Sequence, residues 1–139
     1  MDYKEFHGMA KGVRQQCYQF AHSSKASEYD FHKKRDLECM CAVASMALWE
    51  ASRRSCRVVM GRWRQPHKTG AHHCWVEYLD WRFDLTATQF GVISPVFVTR
   101  LENPRVRYSH GVEKRCYKDF TWGPGQSPTV GLIKQILSL

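Results

Sequence analysis

Apolar and polar residues recur along this chain with two periods, and the points where one gives way to the other divide it into elements. Tyr3, Phe6, Met9, Val13, Cys17 and Phe20 follow one another at steps of three and four, which predicts an amphipathic helix over 3–21. The polar run "HSSKASEYDFHKKRD" ends that pattern as a loop. The next segment, "LECMCAVASMALWEASRR", is apolar on most sides through its middle. It predicts a buried helix over about 37–54, capped by Asp36. "CRVVMGRW" (56–63) reads as a strand, "RQPHKTG" as a loop, "GVISPVFVTR" as a strand and "RVRYSHG" as a possible further one. "WGPGQSP" is a turn-rich connection, after which Ser127 as N-cap and Pro128 in the first turn open a C-terminal helix ending "LIKQILSL". No repeat or second domain shows, so 1–139 reads as one α+β domain.

The period of two is clearest in "HHCWVEYLDWRFDLTATQF", residues 72–90. With Leu79 and Asp80 as the turn, Tyr78 faces Trp81, Glu77 faces Arg82, Val76 faces Phe83 and Trp75 faces Asp84. Strand side chains alternate, so Cys74, Val76, Tyr78, Trp81, Phe83 and Leu85 share one face, the core face. His73, Trp75, Glu77, Arg82, Asp84 and Thr86 share the other. Glu77 and Arg82 read as a cross-strand ion pair. His73 and Asp84 are diagonal neighbours, roughly 7–8 Å apart at the backbone and within reach of each other's side chains. A carboxylate so placed fixes an imidazole's tautomer and stabilises its charged form. The alternative is a surface hairpin of mixed polar residues. His72 lies off this face and reads as a bystander.

Charge and composition narrow the classes. The net charge is +8, with basic residues crowded between Arg53 and Lys68 and in "HKKR" at 32–35. That fits an acidic partner such as nucleic acid, or a solvated basic face. No nucleic-acid-binding motif accompanies it. There is no apolar run of membrane length, and "MDYKEFHGMAKG" is not a secretory signal. The expectation is a cytoplasmic protein with no membrane association and reduced cysteines. Nothing in the sequence speaks to its oligomeric state.

A His–Asp pair needs a group to activate. Cys39 and Cys41 lie near the start of the buried helix, where free N–H groups and the macrodipole lower a thiol pKa. Two positions apart, they point roughly 200° away from each other on a helix, so only one would meet the hairpin. For either, a plain buried thiol is the alternative; Cys17, Cys56, Cys74 and Cys116 fit it.

"CAVASMALWEA", a strand ending "VVMGRW", "HCWVE" and "DLTATQF", in that order, resemble the transglutaminase-like cysteine enzymes of the wider papain-like group. The likeness is greatest to small bacterial members, including the leader peptidases of lasso-peptide biosynthesis. Their pattern is a Cys four residues before a Ser on a helix, a strand ending in Gly, a His-x-Trp-x-Glu strand, and an Asp on the next strand. Cys41 and Ser45, Gly61, then His73, Trp75 and Glu77, then Asp84 match it. Ser55 and Cys56 depart from it, standing where relatives have Gly and an aliphatic residue. The likeness covers about residues 37–90.

This resemblance selects Cys41 over Cys39 and implies a Cys41–His73–Asp84 triad. It also implies a nucleophile helix packed on an antiparallel sheet, with extra N- and C-terminal helices in this chain. The implied activity is a cysteine hydrolase, a thiol protease or amidase acting on a peptide or protein, with no cofactor or metal. The backbone N–H of Cys41 would be an oxyanion donor, with a side-chain donor among Gln15, Gln16, Gln19 and Gln89. Trp75 would shield the His–Asp pair. A protein-glutamine deamidase or transamidase would use the same three residues. Two other classes remain: a metal site from Cys39, Cys41, His72, His73 and Cys74, whose spacing is unusual for zinc, and a non-catalytic basic module that binds nucleic acid.

Overall fold

The computed structural model describes residues 1–29, 37, 40–65, 68–103, 107–109, 111–121 and 127–139. The described residues fold as three α-helices and a five-stranded antiparallel sheet, an α+β arrangement. Helix α1 spans Tyr3–Ala21, α2 Cys41–Ala51 and α3 Val130–Leu137. The strands are β1 (Arg57–Gln65), β2 (Lys68–Tyr78), β3 (Trp81–Asp84), β4 (Phe97–Arg100) and β5 (Val112–Lys114), in the order β4-β3-β2-β1-β5. Among the described residues no helix is long and apolar enough to cross a membrane.

Helix α1 keeps the predicted bounds. The Asp2 carboxylate accepts from Glu5 N–H at 2.8 Å and caps it. Phe6, Val13, Cys17 and Phe20 are buried, as their spacing requires. Helix α2 is shorter than the predicted 37–54. Its first nine residues, Cys41 to Trp49, are all buried, so it is wrapped on every side, between α1, α3 and the sheet. It ends early because Arg53 and Arg54 take left-handed angles (φ 56° and 62°), which a continuing helix of L-residues does not tolerate. Their N–H groups fold back onto the Glu50 and Trp49 carbonyls at 2.9 and 2.7 Å. The proposed cap, Asp36, lies outside the described residues.

The hairpin register is the predicted one: Tyr78 opposes Trp81, Glu77 opposes Arg82 and Val76 opposes Phe83, with Leu79 left-handed in the turn. Val76, Cys74 and Phe83 enter the main core beneath α1 and α2, while Trp81 is only half-buried. Three other expectations are corrected. The strand predicted across 91–100 forms only at Phe97–Arg100, where it pairs with β3. In the 105–111 region Tyr108 makes a single bridge, to Trp63, and the added strand is instead β5, beside β1. Helix α3 starts later than expected: the Thr129 hydroxyl, not Ser127, accepts from Leu132 N–H at 3.2 Å, and Pro128 precedes the cap.

The far face of the sheet is not a solvated surface. Val59, Trp63, Trp75, Ala87 and Tyr108 form a second buried cluster there, with Phe90, Val92 and Phe97 at its rim. The expected Glu77–Arg82 ion pair is absent. Glu77 instead meets Arg57 across β1 at 3.6 Å and accepts from the Trp75 indole N–H at 3.1 Å. Arg82 donates to Thr99 Oγ1 at 3.0 Å and lies 4.4 Å over the Tyr108 ring. A central strand has a neighbour on each side, and Glu77 is satisfied by the other one.

Candidate active site

The β2–β3 ladder stops at Val76–Phe83. Beyond it, residues 73–75 of β2 have lost their β3 neighbour, because the chain turns after Asp84 into a 3-10 turn at Ala87–Phe90. Strand β1, read from the residues as 56–63, runs Arg57–Gln65 and does not end at Gly61, as the family resemblance implied; Gly61 stands opposite His73. One side of β2 is thus fully paired around His73, and the other opens toward the start of α2.

His73 and Asp84 are both fully buried, and His73 Nε2 lies 2.6 Å from Asp84 Oδ2. The carboxylate is held at three points. Its Oδ1 accepts from Thr86 N–H at 3.0 Å, and Oδ2 also accepts from the Tyr108 hydroxyl at 2.5 Å. A carboxylate fixed in this way presents one lone pair to one imidazole nitrogen, so Nε2 carries the shared proton and Nδ1 is left as the basic atom. Nδ1 is buried and has no partner in hydrogen-bond geometry. The Cys41 thiol stands by the ring, close enough for each group to shift the other's ionisation.

Cys41 is the first residue of α2 and only 5% exposed. Among the described residues no side chain caps this helix, whose N-cap is Met40. The N–H groups of its first turn have no intrahelical acceptor and face the sulfur's end of the dipole. The thiol pKa falls to about 5. Contact with the Cys74 thiol favours the thiolate most; burial opposes it; the His73 imidazolium and the Cys74 backbone N–H add to the lowering. For His73, burial works against the charged form, but the Asp84 carboxylate and the Cys41 thiolate outweigh it and carry the pKa up to about 10. The Cys74 thiol is pushed up by the same contact and by burial. Burial likewise raises Cys17 to about 12 and Cys56 to about 11. Between about pH 5 and 10 the charged pair, Cys41 thiolate and His73 imidazolium, is therefore the favoured state.

The structure thus brings Cys41, His73 and Asp84 together, in a setting from which aromatic rings exclude water. The His73 ring has Phe90 edge-on at 4.9 Å and Trp75 at 6.3 Å. Cys39 lies outside the described residues. His72 is exposed, with its Nε2 3.3 Å from the Arg62 guanidinium. Of the glutamines, Gln16 donates to the Leu137 and Leu139 carbonyls and Gln89 to Thr86. Gln15 lines a cavity of about 480 Å³ between α1 and residues 94–96, and Gln19 is exposed. Among the described residues no three His, Cys, Asp or Glu side chains converge as a metal site.

Sequence reasoning missed Tyr108, Thr86 and the partnership of Cys74 with Cys41. The N–H of Thr86 follows from the chain turning back over Asp84, and position i+2 was a readable signal for it. Nothing in the sequence marks which distant aromatic reaches the carboxylate. Comparison of the chain with protein-family models, with curated proteins and with solved structures finds no match.

Proposed function

We propose that this protein is a cysteine-nucleophile amide hydrolase, a thiol peptidase of the transglutaminase-like type, working through Cys41, His73 and Asp84. The observation that carries the reading is a buried imidazole. It has one nitrogen locked to a carboxylate and the other unpartnered beside a helix-terminal thiol whose ionisation is strongly favoured. The motif order from Cys41 to Asp84 supports the same family assignment, and the α+β arrangement is compatible with it. The cytoplasm, where thiols stay reduced, suits a free thiolate nucleophile.

In this mechanism the Cys41 thiolate attacks an amide carbonyl carbon and forms a C–S bond. The carbonyl electrons move to oxygen, where the backbone N–H of Cys41 and the free first-turn N–H groups of α2 receive them. The His73 imidazolium gives its proton to the leaving nitrogen as the C–N bond breaks. His73, neutral again, takes a proton from water, which attacks the thioester and releases the acid. Asp84 holds the tautomer throughout. With ammonia as the leaving group from a glutamine side chain the same steps give a deamidase. With an amine in place of water they give a transamidase, which must also exclude water.

Rates of iodoacetamide alkylation test the nucleophile without a known substrate. Each cysteine is followed by peptide mass spectrometry from pH 4 to 10. Cys41 is expected to gain reactivity with a midpoint near 5, against about 8.5 for a plain thiol. His73→Ala should move that midpoint up in a folded protein, because the imidazolium's share of the lowering is lost while the Cys74 contact remains. An ordinary thiol midpoint in the wild type would sink the triad. Incubating the protein with a peptide mixture separates the chemistries: cleavage yields new termini, deamidation only the mass change of amide to acid, and Cys41→Ala yields neither.

A further inference from the structure

Helix α2 begins at Cys41, over Cys74, and the sheet continues beyond the helix end. Along β1 and β2 the next pair on the face of Met60 and Cys74 is Arg62 and His72. Both are exposed, and their contact at 3.3 Å fixes them on one face. Two residues of strand span about 7 Å, so this pair stands about that far along the sheet from the thiol that touches Cys41. Arg62 is held in place by a 2.7 Å bond to the Gly70 carbonyl. Exposed Arg64 and Arg107 lie just past it, joined by a 2.6 Å bond from the Arg64 N–H to the Arg107 carbonyl. Neither 51–76 nor 103–112 contains Asp or Glu, so these arginines have no acidic neighbour in their own segments. Of the flanking acids, Glu50 is held by Arg54, Glu77 by Arg57 and Glu113 by Arg115, while Glu102 is exposed in the turn after β4, five residues before Arg107.

We propose that Arg62, Arg64 and Arg107, with His72, form a substrate subsite, and that the chain presented to Cys41 is an acidic peptide segment. The inference rests on the hydrolase reading and names its substrate class. An extended chain advances roughly 3.3–3.6 Å per residue. A peptide whose amide carbon is at Cys41 therefore puts side chains two to four residues away over this strip. Carboxylates there meet guanidinium groups that can bind them in two-point fashion. The strip turns the basic excess of the chain into an address next to the nucleophile, and it makes binding dependent on salt.

Protection of Cys41 from iodoacetamide at pH 6 tests this without requiring turnover. The probes are a glutamate-rich decapeptide, the same peptide with Gln for Glu, and a single-stranded DNA oligonucleotide of equal charge. The glutamate peptide is expected to slow alkylation of Cys41 at least tenfold more than the Gln peptide at low salt, with most of the effect lost on adding salt. Arg64→Glu/Arg107→Glu should abolish the protection. Arg62→Glu, which also removes the bond to Gly70, should do the same. The charge-matched control Lys4→Glu/Lys118→Glu, at exposed positions elsewhere, should keep it. Equal protection by both peptides, protection that survives Arg64→Glu/Arg107→Glu, or protection by the DNA alone would overturn the proposal. Protection of Cys41 without any reaction of the peptide would leave the subsite standing and sink the hydrolase reading. An ordinary thiol midpoint for Cys41 with protection intact would separate the two in the same way.

Discussion

Asp84 accepts three hydrogen bonds, and two of them, from His73 and Tyr108, meet on a single oxygen. The Tyr108 hydroxyl draws charge from the atom that holds the imidazolium, and its ring is fixed by Trp63, Trp75 and the Arg82 guanidinium. Tyr108→Phe keeps that ring and deletes one donor to a buried charge, a loss of about 1.5–3 kcal/mol. With the hydroxyl gone, the carboxylate charge concentrates on the oxygen facing Nε2, and His73 should bind its proton more tightly. Asp84→Asn removes the charge, so His73 should lose its proton more easily and turnover should fall on the order of 10³–10⁴-fold. Imidazole titration by NMR should thus move to higher pH in Tyr108→Phe and to lower pH in Asp84→Asn. Movement of both in one direction would mean that Tyr108 only packs.

At the scale of elements, the site depends on a hairpin whose two faces are both committed. Phe83 is fully buried against Phe6, with ring centres 4.8 Å apart, while its neighbour Asp84 points to the other side. Phe83→Ala should cost about 3–5 kcal/mol in a urea unfolding measurement. A cost near zero would mean that the core face is misassigned. This parity was legible in the sequence because a one-residue slip would have put Phe83 and Val76 on the wrong face. Helix α1 was legible for the same reason, its period being long and regular. The end of α2 was not, since the left-handed Arg53 and Arg54 carry no glycine to announce them. The second cluster was not legible either. Trp63, Trp75 and Tyr108 come from three separate segments, and only their assembly shows that the face bearing His73 is dry. Cys74 was placed correctly as a core residue, but its contact with Cys41 is set by where the start of α2 seats on β2, which no local pattern encodes.

For the whole molecule, the coupled charges tie stability to pH in a way one variant can isolate. In the folded protein Cys41 loses its proton near pH 5 and His73 near 10. In the unfolded chain the same groups titrate at about 8.5 and 6.5. Between pH 5 and 6.5 the unfolded pair binds two protons and the folded pair one, so stability rises with pH. From 6.5 to 8.5 each binds one, and the contribution is flat. Above 8.5 the unfolded pair binds none and the folded pair one, so stability falls until about pH 10. Cys41→Ala also removes the thiolate that helps to raise His73, so in the variant the His73 contribution ends below pH 10. Between pH 5 and 6.5 His73, still held up by Asp84, is protonated in the folded and the unfolded chain of both proteins, and the difference between wild type and variant reports Cys41. A lowered thiol pKa requires that difference to grow steadily from pH 5 to about 6.5, with a slope of one proton. Urea midpoints of the two proteins across this range measure it. Parallel curves would mean that the Cys41 thiol is as acidic unfolded as folded, and that its meeting with His73 does not create a thiolate.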